Sequence, residues 1–521
     1  MPSRPLALHA LAFGMPRFAA SLRPILTLSL AAGAVAFALG QGPLGLAEAA
    51  LVPLPAEVRP SADAGEAVEV GALAVGGPGV DSLAAYLDDA GWLAPADVEG
   101  PLPVDLRFDD AVLPEGYRLS VAADGIAIDA SAPAGHFYGL QTLRQLVEQA
   151  RADGGRLGLG TVADAPRFAY RGVMLDVARH FHAPAEIERL VDLLSRYKLN
   201  VLHLHLADDQ GWRLAIDSWP RLAEVGGSTQ VGGGGGGFLT QAEYADLVAY
   251  AKTRHVTVVP EIDMPGHTQA ALASYPELNC NPEDPAPQLY EGTEVGFSTL
   301  CIGKPVVDSF VRDVLAEVAA LTPGPYLHVG GDESHATDSA DYARFFAAVG
   351  PVVDVLGKRL VGWDEIATVD ALDSTAVVQL WASPDNAAAA VARGQSLVVS
   401  PAKHAYLDMQ YDSTSRIGLH WAAYVEVDDA YRWDPTTVIP GTDLSDGQIL
   451  GVEAPLWSET VVTRADIDYL VFPRALGIAE IGWSPREGRA WAEYRERLAA
   501  QGPALRAAGV GFYQSALVDW R

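Results

Sequence analysis

The chain has 521 residues, of which 49% are hydrophobic and 20% are charged, and its formal net charge is −30. This composition excludes an intrinsically disordered chain and allows a large hydrophobic core. The negative charge argues against partners such as nucleic acid or an anionic membrane surface, so we predict neither as a partner.

The first fifty residues have the layout of an export signal. Basic residues, an apolar run and a small-residue site follow one another: Arg17 and Arg23, Ile25 to Gly40, and Ala47-Glu48-Ala49. This order predicts a cleaved signal peptide over residues 1–49 and a secreted or extracytoplasmic protein. An uncleaved membrane anchor is the alternative, but the run is short, since a spanning helix needs about 20 residues.

Two patterns divide the rest of the chain. Residues 50–165 contain two alternating runs around an Asp124-Gly125 turn and then a helical stretch at 135–150. They predict a small α+β domain. From 166 to 521, short apolar runs alternate with helical stretches, as in parallel βα units.

Eight apolar runs in the second part are candidate strands. They are GVMLDV, VLHLHLAD, VTVVPEID, YLHVGGDE, LVGWDE, AVVQLWA, SLVVSPA and ILGVEAPLW. Eight βα repeats close naturally into a barrel. The predicted fold class is therefore α/β, with a (β/α)8 TIM barrel as catalytic domain after the small α+β domain. A doubly wound open sheet is the alternative.

Each candidate strand is apolar until its C-terminal end, where polar or aromatic residues follow. These are Asp176 and Arg179; His205, Asp208 and Asp209; Asp263 and His267; Asp332 and Glu333; Trp363, Asp364 and Glu365; Trp381; Tyr406 and Asp408; and Trp457 and Glu459. In a barrel these ends share one face, which holds the active site. We therefore expect these side chains to meet in one site.

The segment HVGGDES indicates acid–base chemistry. Its two glycines permit a tight turn, after which Asp332 and Glu333 project side by side. Two neighbouring carboxyl groups cannot both ionise freely, so one should have a raised pKa, as the proton donor of a glycosidase needs. A structural helix cap at Asp332 is the alternative.

Tryptophans near the later strand ends favour a sugar site over a helix cap. Trp363, Trp381 and Trp457 lie at strand ends, and Trp421 lies in a following loop. The apolar faces of sugar rings can stack on indole, while carboxylates and Arg179 can bind hydroxyl groups.

Histidines in the second candidate strand leave a metal site open as an alternative. His203 and His205 face the same side of this strand, and Asp208 and Asp209 follow it. These residue types can bind a metal, as in a metal-dependent hydrolase. Further ligands would have to come from the sugar site, so we prefer a hydrogen-bonded polar floor in which Asp208 supports Glu333, either through a histidine or by direct contact. We predict no metal and no other cofactor.

The two cysteines, Cys280 and Cys301, are the candidates for a covalent cross-link. An exported chain meets an oxidising environment, which favours a disulfide across a surface loop over two buried free thiols.

At these motifs the sequence resembles the glycoside hydrolase family 20 β-N-acetylhexosaminidases. The matching segments follow the family's order from Tyr170 to Trp483: RGVMLDVARHF, KLNVLHLHLADDQGWR, PEIDMPGHT, HVGGDE, GWDE, KHAYLDMQYD and GVEAPLWSET. The resemblance implies an enzyme that removes terminal non-reducing N-acetylglucosamine or N-acetylgalactosamine. Its partners would be oligosaccharides or glycoconjugates that contain N-acetylhexosamine.

The resemblance also implies roles for individual residues. In this family the 2-acetamido oxygen of the substrate is the nucleophile and an oxazolinium ion is the intermediate. Glu333 would be the acid/base, Asp332 would orient the acetamido N–H, and Tyr406 would bind the acetamido oxygen. The other implied roles are pocket walls for Trp363, Trp381 and Trp457, hydroxyl contacts for Arg179, Asp408 and Glu459, and a polar network for His267 and Asp208.

Two other functions remain open. A lacto-N-biosidase-like or chitobiose-specific family member would share the chemistry and differ in pocket depth. A non-hydrolytic sugar-binding barrel would bind the same sugars without cleaving them.

Overall fold

The computed structural model describes residues 42–62, 65–89, 100–281 and 287–521. The apolar run of the predicted export signal lies outside these residues. Within the described ranges, no helix is both long enough and apolar enough to cross a membrane. Leu44 and Leu46, near the end of the predicted signal, are buried in the core of the first domain.

The first domain is an α+β unit in which one helix covers a mixed sheet. Its elements are β1 (Glu57–Pro60), β2 (Ala67–Glu69), β3 (Leu73–Gly76), α1 (Ala84–Asp89), β4 (Leu102–Phe108), β5 (Tyr117–Ala122), β6 (Gly125–Ala130), α2 (Pro133–Ala152), β7 (Arg156–Gly158) and β8 (Gly160–Asp164). The sheet order is β1-β8-β5-β6-β4-β3, and β2 pairs with β7. The predicted hairpin is present, with Ala122 opposite Gly125, and α2 includes the predicted helix.

The second domain contains the barrel. Its strands are β9 (Tyr170–Asp176), β10 (Val201–His205), β11 (Ala207–Asp208), β12 (Gly211–Trp212), β13 (Thr257–Glu261), β14 (Tyr326–His328), β15 (Arg359–Trp363), β16 (Val377–Leu380), β17 (Ser396–Val399) and β18 (Ile449–Leu456). Among the described residues, eight of these strands close in the order β10-β13-β14-β15-β16-β17-β18-β9. The predicted TIM barrel is confirmed. The open-sheet alternative is wrong, because β18 pairs with β9 in parallel and closes the sheet.

Helices surround the barrel and follow most of its strands. They are α3 (Pro184–Ser195), α4 (Gln241–Thr253), α5 (Gln269–Ser274), α6 (Pro305–Leu321), α7 (Ser339–Val355), α8 (Pro384–Ala392), α9 (Ala402–Ala405), α10 (Arg464–Val471), α11 (Arg474–Trp483), α12 (Trp491–Ala499) and α13 (Gly502–Ala507). Helix α6 shows why such a segment forms a helix and packs on the barrel. Its first-turn proline presets a helical φ, and Val307, Phe310, Val314 and Val318 form one buried stripe at helical spacing.

The barrel interior has an apolar layer below a polar one. The apolar layer contains Tyr170, Val201, Val259, Val361, Val377 and Val398. Alternate residues of a strand face the same side, so a step of two residues leads from Val201 to His203 and from Val259 to Glu261. Both polar side chains are fully buried. This layering puts the polar groups towards the C-terminal ends of the strands, where the site lies.

A disulfide joins Cys280 and Cys301 in the long connection between β13 and α6. Beside it, Ser298 Oγ donates to Asp209 Oδ1 at 2.5 Å and accepts from the Thr268 N–H at 2.8 Å. The connection is thereby tied to the end of β11 and to the segment around His267.

A buried ion pair joins the two domains. The Lys198 ammonium, just before β10, lies 2.9 Å from an oxygen of Asp164 at the end of β8. The same carboxylate accepts from Trp483 Nε1 and from the Tyr117 hydroxyl, both at 2.8 Å. Burial lowers the pKa of Lys198, and Asp164 opposes this effect.

We expect Asp164→Asn to lower the free energy of unfolding by about 3–5 kcal/mol, because it leaves a buried ammonium without its counter-ion. Urea denaturation would measure this loss. Asp109→Asn is the matched control, since its pair with Arg118 is half-exposed and should contribute at most about 1 kcal/mol. Equal effects of the two substitutions would contradict a structural role for the buried pair.

Candidate active site

The turn after β14 presents the two adjacent acids. Gly330 and Gly331 have φ angles of 65° and 99°. A Cβ atom at Gly330 would lie 1.7 Å from an oxygen of Asp263, so only glycine fits there. Glu333 has a φ of 44°, in the left-handed region that non-glycine residues seldom adopt. Such strain is typical of functional sites and directs the side chains of Asp332 and Glu333 onto the barrel face.

A chain of polar contacts, one hydrogen bond followed by longer ion-pair contacts, leads from the end of β11 to these acids. His267 Nδ1 is 3.1 Å from Asp208 Oδ1. Its Nε2 is 3.7 Å from Glu333 Oε2 and 3.9 Å from Asp332 Oδ2. Asp208 thus reaches Glu333 through an imidazole, which is one of the two arrangements that the sequence analysis allows.

The pKa values of His267 and Asp208 in this chain are shifted in opposite directions. Burial alone would lower the pKa of His267, but Asp208 and Asp332 outweigh it and raise the pKa to about 10. Burial would raise the pKa of Asp208, but Arg179, 2.8 Å away, and His267 hold it well below its usual range. At neutral pH, His267 is therefore a protonated imidazolium that lies between carboxyl groups.

The deeper of the two adjacent acids has the raised pKa. Asp332 is only 7% exposed, and burial, reinforced by the carboxylate of Asp263, raises its pKa well above the ordinary value. The Glu333 side chain is 30% exposed. The prediction that one of the two neighbouring acids has a raised pKa therefore holds for Asp332, the more deeply buried of the two.

Five aromatic rings form one wall of the site. Trp381 stacks near Tyr406 with centroids 6.4 Å apart, and Trp457 lies 5.6 Å from Trp363 and 6.3 Å from Tyr406. Trp421 lies at the rim, 57% exposed, with its ring edge-on to Trp381 and Tyr406 at 6.0 Å. The predicted tryptophans therefore meet in one cluster.

Charged groups hold three of these indoles. Trp363 Nε1 donates to Glu261 at 2.8 Å, and Trp381 Nε1 donates to Glu365 at 3.1 Å. The guanidinium of Arg179 lies 4.8 Å from the Trp457 ring centre, a cation–π contact. These three contacts hold the indole rings in their positions.

Several buried polar atoms of the site lack a hydrogen-bond partner in the described protein. Within the described ranges, both carboxyl oxygens of Asp408, one of Glu459 and one of Asp332 have no hydrogen-bond partner in the protein. Burial raises the pKa of all three groups. An unpaired buried polar atom costs about 1–3 kcal/mol, so these atoms are suited to a polar ligand.

The polar floor beneath the site is continuous. Glu261 accepts from His205 Nδ1 at 2.6 Å and lies 3.0 Å from His203 Nε2. His203 Nδ1 is 3.0 Å from Glu453, and His205 Nε2 is 2.8 Å from Asp208. This is the hydrogen-bonded floor that the sequence analysis prefers.

Within the described part of the chain, four overlapping triads have ligand atoms close enough to hold a metal ion. They are His203, Glu261 and His328; His205, Asp208 and Asp263; Asp208, Asp209 and His267; and Asp263, His267 and Asp332. Most of these contacts belong to the network described above. The prediction of a site without a metal or other cofactor stays a prediction.

Sequence reasoning missed two residues of the floor, Glu261 and Glu453. Both are fully buried and lie on the strands β13 and β18. A single carboxylate within an otherwise apolar strand is the available signal, because a buried charge requires partners. The identity of those partners depends on strands that are far apart in sequence.

The barrel, the carboxyl groups at its C-terminal face and the aromatic wall define a glycoside hydrolase. Residues 168–486 match the family model "Glycosyl hydrolase family 20, catalytic domain", and residues 48–165 match "Glycosyl hydrolase family 20, domain 2". The chain belongs to glycosyl hydrolase family 20, and its activity is that of a β-hexosaminidase.

Individual proteins support this assignment. A β-N-acetylhexosaminidase of Cellulomonas fimi is 41% identical over 437 residues, which cover 82% of this chain and 85% of that protein. The family 20 β-N-acetylhexosaminidase of Streptomyces coelicolor A3(2) superimposes with a TM-score of 0.85 at 45% identity, covering 92% of this chain and 100% of that one. The Streptomyces plicatus N-acetyl-β-hexosaminidase in complex with Thio-NAglucal gives the same TM-score and identity, covering 93% and 99%.

The pKa of His267 predicts how stability depends on pH. Its pKa rises from 6.5 to about 10 on folding, so the folded protein holds a proton that the unfolded chain releases. This stabilisation is complete below pH 6.5 and is lost as the pH rises towards 10, by up to about 1.4 kcal/mol per pH unit. In His267→Gln, urea denaturation between about pH 7 and pH 9 should give a slope that is shallower by this amount. Equal slopes would contradict a protonated His267.

Proposed function

We propose that this hydrolase removes terminal non-reducing N-acetylglucosamine or N-acetylgalactosamine with retention of configuration, using the 2-acetamido group of the substrate as the nucleophile. The adjacency of Asp332 and Glu333 on one strained turn carries the proposal. A two-carboxylate retaining enzyme needs its acid and nucleophile about 5–5.5 Å apart on opposite sides of the bond. Neighbouring side chains on one turn are poorly arranged to flank a bond in this way.

Glu333 is the proposed acid/base. It is the more exposed of the two acids, and His267 lies 3.7 Å from its carboxyl oxygen. In the first step it donates a proton to the leaving glycosidic oxygen while the acetamido oxygen attacks C1. In the second step it accepts a proton from the water that opens the oxazolinium ring. The imidazolium of His267 favours the carboxylate that forms between the two steps.

Asp332 is the proposed partner of the acetamido nitrogen. One of its buried oxygens lacks a partner in the described structure, and it can accept the acetamido N–H. When the oxazolinium forms, positive charge develops on that nitrogen, and a carboxylate held beside it stabilises the transition state. The raised pKa of Asp332 in the free enzyme is consistent with a group whose counter-charge arrives with the substrate.

The aromatic wall suits the rest of the sugar. Trp363, Trp381 and Trp457 would surround the acetamido methyl group and the ring, with the Tyr406 hydroxyl donating to the acetamido oxygen. Asp408 and Glu459 have unpaired oxygens that would accept hydrogen bonds from sugar hydroxyls. Arg179 already binds Asp208 at 2.8 Å and packs on Trp457, so any hydroxyl contact that it makes is additional to these roles.

Export of the protein is part of this proposal. Support comes from the apolar run and the small-residue site in the first fifty residues. Because Leu44 and Leu46 pack in the first domain, a cut before Leu44 would keep that core complete, whereas a cut after residue 49 would remove both leucines.

Turnover of aryl glycosides with and without the 2-acetamido group tests the nucleophile. We expect a plain β-glucoside to react about a thousandfold more slowly or worse, because it lacks the pre-positioned intramolecular oxygen. Equal turnover of the two substrates would exclude substrate assistance. An aryl lacto-N-bioside or chitobioside as the preferred substrate would instead support the disaccharide-specific alternative.

Two variants test the acids. Glu333→Gln should lower kcat by about 10²–10⁴ for a substrate with a poor leaving group and far less for a dinitrophenyl glycoside, which needs little protonation. Asp332→Asn should lower kcat by about 10²–10³ for both substrates, because in each the acetamido oxygen attacks C1 as the leaving group departs, and positive charge then develops on the acetamido nitrogen. Near-normal hydrolysis of the poor leaving group by Glu333→Gln would refute its role. Sugar binding without turnover by the wild type would favour the non-hydrolytic alternative.

A further inference from the structure

The carboxyl group of Glu365 has no role in the mechanism proposed above, although it lies beside the reacting groups. It belongs to the short 3₁₀ segment Asp364–Thr368 that follows β15. Asp364, its neighbour, is used structurally, since one of its oxygens accepts the backbone N–H groups of Trp381, Ala382 and Ser383 at 2.9–3.1 Å. Glu365 is directed to the site instead.

Two parts of the active site meet at this carboxyl group. Trp381 Nε1 donates to Glu365 Oε2 at 3.1 Å. The backbone N–H of Glu333 lowers the pKa of the same carboxyl group and so favours its charged form. That backbone has the left-handed φ of 44°, a conformation that costs about 1–3 kcal/mol and needs support from its surroundings.

We propose that Glu365 is a positioning residue: its carboxylate holds the indole of Trp381, and its charge acts on Asp332. The proposal rests on the roles of Trp381 and Asp332 given under Proposed function.

The charge of Glu365 has a second effect, on Asp332. The pKa of Glu365 depends on Asp364 in its own segment, on the side chain of Trp381 after β16 and on the backbone of Glu333 after β14. The charge of Glu365 in turn raises the pKa of Asp332, of Tyr342 in α7 and of Tyr406 after α9. Burial and the charge of Asp364 raise the pKa of Glu365 to about 7. When it is charged, it helps to raise the pKa of Asp332.

Two substitutions distinguish the effect of the hydrogen bond between Glu365 and Trp381 from the effect of the charge of Glu365. Glu365→Gln keeps an oxygen for Trp381 Nε1 and removes the charge, so KM should stay within about twofold. The proposed mechanism needs Asp332 ionised, so activity falls as the pH drops through the pKa of Asp332. Without the neighbouring charge that pKa falls, and the acid limb of kcat/KM should move to lower pH by about one unit.

Glu365→Ala removes the anchor as well as the charge. Loss of the Trp381 hydrogen bond should raise KM for an aryl N-acetylglucosaminide by about 2- to 10-fold, in addition to the shift of the acid limb. Asp370→Asn is the matched control. It removes one charge five residues away, from a side chain that is 98% exposed, and should move neither KM nor the limb.

The measurement is kcat and KM against pH for all four proteins, with circular dichroism to verify folding. An acid limb that Glu365→Gln leaves in place, or a KM that Glu365→Ala leaves unchanged, would overturn the proposal. Should the alanine variant fail to fold, the nearly isosteric glutamine variant still decides the effect of charge. Failure of the substrate-assisted mechanism would appear separately, as wild-type turnover of plain glucosides.

Discussion

Compensation of buried charge inside the barrel is the constraint on which the site depends. An isolated carboxylate or imidazolium in the interior would cost several kcal/mol, so each charged group must find an opposite partner. Glu261 meets this need with His203 and His205 on the adjacent strand. The chain then continues through Asp208 to His267, directly beneath the acids. The same contacts that make the polar layer tolerable therefore fix the position of the groups that perform the chemistry.

The aromatic wall obeys the same constraint. Trp363 and Trp381 are held through their indole N–H groups by carboxylates, and Trp457 lies beneath a guanidinium. An indole that is packed on one face and hydrogen-bonded at its edge has one preferred orientation, which a sugar-binding surface requires. Polar anchoring and apolar recognition are thus two consequences of one network.

Deep burial makes neighbouring acids different from each other. Asp332 and Glu333 are adjacent in sequence, yet one is almost completely enclosed and the other is partly open to solvent. The backbone enters the left-handed region at Glu333, immediately after Asp332. Two carboxyl groups of the same chemistry can therefore serve different steps, one as an electrostatic partner and one as a proton carrier.

The sequence by itself determined the fold and the strand ends at which most of the polar and aromatic residues of the candidate site lie. The eight apolar runs predicted the barrel because strand ends of parallel βα units must share a face, and the polar residues at those ends, Arg179 to Glu459, do meet there. Only the tertiary structure decided which acid is buried, how the charges pair and which carboxylate anchors which indole. Partners such as Glu261 and Trp363 lie on strands 102 residues apart, and neither spacing nor composition encodes a contact of this kind.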